Sequence, residues 1–81
     1  MTESEIKAVI FKVLGRIAPE ADLDALEPSA NLREALDIDS FDHLNLLIGL
    51  NEELAIEIPE ADYGQLMRLS DIIRYLSARV R

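Results

Sequence analysis

The 81-residue chain contains no cysteine and no tryptophan, and its aromatic residues are only two Phe and two Tyr. Without thiols it forms neither a disulfide nor a thiolate metal site. With so few aromatics, a core drawn from the 49% hydrophobic residues must be mostly Leu, Ile and Val. No apolar run is long enough to cross a bilayer, and the acidic start Thr2-Glu3-Ser4-Glu5 is unlike the basic region of a secretory signal. Positive charge is also scarce: eight Lys and Arg face sixteen Asp and Glu, for a formal net charge of −8. Such a chain repels nucleic acid phosphates and suits basic protein partners. The expectation is a soluble, monomeric, cytoplasmic protein that inserts into no membrane.

What is present is organised. Length and composition fit one domain over residues 1–81. Thr2-Glu3-Ser4-Glu5 has the form of a capping box, and Ile6, Val9, Ile10, Val13, Leu14 and Ile17 then make one helical stripe that Pro19 ends. Glu5, Lys7, Lys12 and Arg16 fall on its wet side. Residues 19–39 are long for a connection, with Leu23, Leu26, Leu32, Leu36 and Ile38 as anchors and a short helical turn expected within 31–36.

A central helix is expected from about Ser40 to Ala55, its apolar residues spread over a wide arc. Gly49 inside it reads as a point of close helix packing. Ile56 to Pro59 break the pattern, Glu60 to Leu66 suggest a brief third helix, and Leu69, Ile72, Ile73, Leu76 and Val80 form the last stripe. Arg74, Arg79 and Arg81 lie near the end of that stripe, where a helix dipole favours cations. The fold class is therefore all-α, a small four-helix bundle with a long first loop and a short third helix.

Charge and chemistry concentrate in the middle. From Glu34 to Met67 there are nine acids and no Lys or Arg. Within that window Asp37-Ile38-Asp39-Ser40-Phe41-Asp42-His43-Leu44 sets a serine at the start of the central helix. Asp39 is a natural N-cap there, with Asp42 three residues on. Unpaired backbone N–H groups and the positive end of the helix dipole would welcome a phosphate ester on Ser40.

Asp39-Ser40-Phe41, then Leu44, Leu46, Leu47 and Leu50, then Glu52-Glu53-Leu54 and Ile56-Glu57-Ile58-Pro59, resembles the acyl carrier protein family from about Ile6 to Leu76. The resemblance implies that Ser40 bears a 4′-phosphopantetheine arm, moved from coenzyme A by a phosphopantetheinyl transferase. It further implies a standalone carrier whose arm holds acyl groups as thioesters for partner enzymes of fatty-acid, polyketide or related biosynthesis. Such a carrier is not an enzyme. By the same resemblance Asp39 helps hold the transferase's divalent cation, Phe41 and Ile48 form an apolar rim for partners, and Asp42, Glu52, Glu53 and Glu57 meet basic residues on acyl-loading and acyl-processing enzymes. Phe41 stands where the family usually has Leu, and Asn45 and Asn51 where acids are commoner, which bears on the choice of partner. An aminoacyl or peptidyl carrier, and an unmodified interaction module of the same fold, are the alternative readings.

His43, three residues after Ser40, invites a nucleophile-and-base reading. No third group, nucleophile elbow or oxyanion site accompanies it, and the expectation is a histidine exposed on the helix surface. A calcium loop starting at Asp37 fails too, with Phe41, Asp42 and Ile48 at the positions that need an oxygen ligand, Gly and Glu. No metal site is expected.

Overall fold

The computed structural model describes residues 1–80, so the expected cation Arg81 lies outside the described residues. Helix α1 spans Glu3–Ile17 and opens on the capping box: the Glu5 N–H donates to Thr2 Oγ1 at 3.1 Å, and the Thr2 N–H to Glu5 Oε1 at 2.8 Å. Ile6, Ile10, Val13 and Leu14 are buried along its stripe. Its final turn closes with the Ala18 N–H on the Leu14 carbonyl, just ahead of Pro19.

The long connection carries structure of its own. A 3₁₀ turn covers Leu23–Ala25, and helix α2 spans Leu32–Leu36. The Asn31 side chain caps α2 by accepting from the N–H groups of Arg33 and Glu34. Backbone bonds then stitch this loop to a distant segment: the Leu32 N–H donates to Met67 O, and the Ser70 N–H to Pro28 O, both at 2.9 Å. The Arg68 guanidinium adds a bond to the Ser29 carbonyl. Leu32 is fully buried, and Leu23, Leu26 and Leu36 pack partly against the core.

Helix α3, Ser40–Leu54, packs on α1 and buries Leu46, Leu47 and Leu50 in the shared core. It packs closely on α1 at one point, where a Cβ on Gly49 would come within 2.7 Å of Val13 Cγ1. The packing role read for Gly49 therefore holds. The helix stops at Ala55, which is left-handed at φ 52°, and the Asn51 side chain accepts the Ile58 N–H at 3.2 Å to fasten the outgoing chain.

The expected third helix is present as a 3₁₀ segment, Glu60–Gln65. Tyr75 Oη donates to Asp62 Oδ2 at 2.7 Å, and Arg79 Nη2 lies 3.9 Å from the same oxygen, so the segment is tied to the last helix and the residues just after it. Helix α4, Leu69–Ser77, contributes Leu69, Ile72 and Leu76 to the core. Val80 lies beyond its end and is half-buried. Together α1, α3 and α4 enclose one aliphatic core, with α2 and the 3₁₀ segment closing its sides. Burial of that core drives folding at roughly 25 cal/mol per Å² of apolar area. Among the described residues no helix is long and apolar enough to cross a membrane.

Candidate functional site

Ser40 is exposed and is the first residue of α3. The cap comes from its neighbour: Asp39 Oδ1 accepts the Asp42 N–H at 2.9 Å, and the Asp39 carbonyl accepts the His43 N–H at 3.1 Å. This division of labour leaves the Ser40 hydroxyl outside the cap. A side chain at this place can be extended into solvent without disturbing the helix behind it. The first-turn N–H groups of Ser40 and Phe41 precede the helical ladder, so their partial positive charge remains directed at whatever the hydroxyl carries.

Two surfaces meet at Ser40. Phe41, Leu44 and Ile48 lie three and four residues apart on α3, at 68%, 37% and 40% exposure, and form an apolar stripe facing solvent. On the other side is an open cleft of about 250 Å³ bounded by Arg33, Ser40, His43, Leu44, Leu47, Tyr63, Gly64 and Met67. A larger cavity, about 830 Å³, lies under the first loop from Ile17 to Asp42 and does not include Ser40. Proximity to the serine, rather than size, singles out the smaller cleft.

His43 corrects an expectation. It is only 6% exposed rather than a surface residue, and its Nε2–H donates to the Leu66 carbonyl at 2.8 Å. Nδ1 is buried and has no partner among the described residues. Burial pulls the imidazole pKa below its ordinary 6.5, the Arg33 charge pulls the same way, and the bond to Leu66 opposes both. The ring braces α3 against the chain that follows the 3₁₀ segment, and it makes no bond to Ser40.

The expected acidic face divides. Glu52 and Glu57 are exposed, Asp42 is half-buried beside the serine, and Asp39 is exposed while serving as the cap. Glu53 is already engaged within the chain, taking a bond from Lys12 Nζ at 3.1 Å and one from Arg16 Nη2 at 2.9 Å. Those two bonds, Lys12 first, hold its carboxyl below the usual carboxylate range. Leu44 and Arg33, like Leu47, Tyr63, Gly64 and Met67 along the cleft, are residues that the sequence did not assign to the site. For Leu44 the signal was its helical spacing to Phe41 and Ile48; for Arg33 it was its position as the last base before the base-free window.

A sequence family described as a phosphopantetheine attachment site matches residues 4–76. The chain belongs to the phosphopantetheine-binding acyl carrier family. It is 36% identical over 77 residues to the acyl carrier protein of Chlamydia muridarum, covering 95% of this chain and 94% of that one. It is 32% identical over 75 residues to that of Campylobacter jejuni strain RM1221, covering 93% and 91%. A solution structure assigned as an acyl carrier protein from Anaplasma phagocytophilum superposes with a TM-score of 0.84 at 28% identity, covering 98% of this chain and 92% of that one. The prosthetic group of this carrier is accordingly a covalently attached 4′-phosphopantetheine. The exposed hydroxyl at the start of α3, with free backbone N–H groups around it and an apolar cleft alongside, fits such a group.

Proposed function

We propose that Ser40 is the attachment residue and that the carrier presents acyl groups to partner enzymes of fatty-acid, polyketide or related biosynthesis. The observation that carries this reading is the exposed Ser40 hydroxyl, freed from capping by Asp39 at the start of α3. During loading by a phosphopantetheinyl transferase, the Ser40 oxygen bonds to the pantetheine-side phosphorus of coenzyme A, the pyrophosphate P–O bond breaks to release adenosine 3′,5′-bisphosphate, and the hydroxyl proton passes to a base of the transferase or to water. Asp39 uses Oδ1 for the cap, which leaves Oδ2 for the divalent cation at the transferase site. When bound, the arm supplies a terminal thiol able to hold an acyl group as a thioester.

The chain's own residues do the rest by position and recognition. Phe41 and Ile48, joined by Leu44, offer partners an apolar rim beside the loaded serine. Exposed Glu52 and Glu57, with half-buried Asp42, add negative charge that favours basic docking surfaces. Glu53 contributes less, because Lys12 and Arg16 already neutralise it. The carrier itself performs no catalysis in this reading.

Intact mass tests it. Incubation with coenzyme A, magnesium and a broad-specificity transferase is expected to add one phosphopantetheine to the wild type and nothing to Ser40→Ala. A folded wild type that gains no mass would contradict the assignment.

A further inference from the structure

A phosphodiester on Ser40 would bring a negative charge to a helix start that already holds Asp39 and Asp42. The free N–H groups of the first turn offset part of that crowding, but they carry only a fraction of a charge. One full positive charge stands nearby. Arg33 and Ser40 border the same cleft, and among the described residues no carboxylate lines it. Arg33 makes no ion pair among the described residues, although Arg16, Arg74 and Arg79 each do.

The backbone fixes Arg33 close to the serine. Its carbonyl accepts the Asp37 N–H and, at 3.1 Å, the Ile38 N–H, so the chain doubles back through left-handed Asp37 and reaches Ser40 three residues later. The charge of Arg33 also acts on buried His43, which borders that cleft. An unpaired guanidinium on a cleft free of carboxylates is suited to a phosphate oxygen, since its fork of donors matches that geometry.

We propose that Arg33 is a positioning residue: its guanidinium is the counter-ion of the phosphodiester on Ser40 and holds the near end of the arm over the cleft between α3 and the 3₁₀ segment. This rests on the attachment to Ser40 proposed above. The contact restrains the first bonds of the arm and leaves its thiol end mobile. It also offsets the repulsion between the phosphodiester and the two aspartates.

The test is phosphorus NMR on fully loaded protein, with loading verified by intact mass. Relative to wild type, Arg33→Gln is expected to shift and sharpen the phosphodiester resonance, Arg33→Lys to restore part of the wild-type shift, and the remote control Arg74→Gln to change nothing. In the wild type alone, the Arg33 Nε–H proton resonance is expected to move on loading. An Nε–H resonance unchanged between unloaded and loaded wild type overturns the proposal even if the variants load poorly. So does a phosphorus resonance identical in wild type and Arg33→Gln. A wild type that takes up no arm would instead overturn the Ser40 reading, together with the contact that depends on it.

Discussion

His43 and Leu66 join two parts of the chain 23 residues apart, through a 2.8 Å bond from the imidazole Nε2–H to the backbone carbonyl. Because a carbonyl can only accept, the bond fixes the neutral ring in the tautomer protonated at Nε2. The ring both fills space in α3 and satisfies a buried backbone acceptor. His43→Ala removes both and is expected to lower stability by about 2–4 kcal/mol, measured by urea denaturation. A loss within about 0.5 kcal/mol, the range of an ordinary surface substitution, would mean that the bond is not stabilising the fold.

The same burial makes stability depend on pH. The folded imidazole pKa lies below its ordinary 6.5, so the unfolded chain takes up the proton first as pH falls. Stability is then lost on acidification through about 6.5 and levels off once pH is below the folded value. Comparing unfolding free energies of wild type and His43→Ala across this range isolates the effect: the gap between them should narrow as pH falls. A gap that widens would give the shift the opposite sign.

Gly49 and Val13 set the approach of α3 to α1. Gly49→Ala gains at most about 1 kcal/mol of helix propensity, but overpacking costs about 1–3 kcal/mol, because the stiff Val13 side chain stands 2.7 Å from the new methyl. A net loss of about 1 kcal/mol is expected. Adding Val13→Ala should make the two changes clearly non-additive, since the second removes the atoms that the first one strikes. Simple additivity would show that the clash is relieved elsewhere.

Partner binding should rank the acids of α3 by how free they are. Glu52→Gln is expected to weaken binding of a basic partner enzyme and to flatten its salt dependence, whereas Glu53→Gln should do so much less, because Lys12 and Arg16 already hold that carboxylate. Titration of both variants against one partner at low and moderate salt checks the order. A larger effect at Glu53 would mean that the partner displaces those internal bonds.

The parts of the fold written in local sequence were legible as sequence. The capping box and six-residue stripe gave α1 within a residue of its end, and Asp39 marked the start of α3. The wide apolar arc identified α3 as the central helix, and Gly49 its close contact. His43 escaped because its burial depends on a carbonyl 23 residues away, which no helical period encodes. Glu53 escaped for a similar reason: its partners stand 37 and 41 residues earlier on α1. The first loop was read as pinned by leucines, yet backbone bonds from Leu32 to Met67 and from Ser70 to Pro28 also hold it. At the site, the serine and its cap were local features, whereas the cleft required the 3₁₀ segment to fold against α3.

The most direct measurement of the central claim is fragmentation mass spectrometry of the loaded carrier. The chain has five serines, Ser4, Ser29, Ser40, Ser70 and Ser77, so intact mass alone does not name the bearer. The added phosphopantetheine is expected on the fragment ion that isolates Ser40 and on no other. An adduct on any of the remaining serines would contradict it, as would a correctly folded protein that stays unmodified.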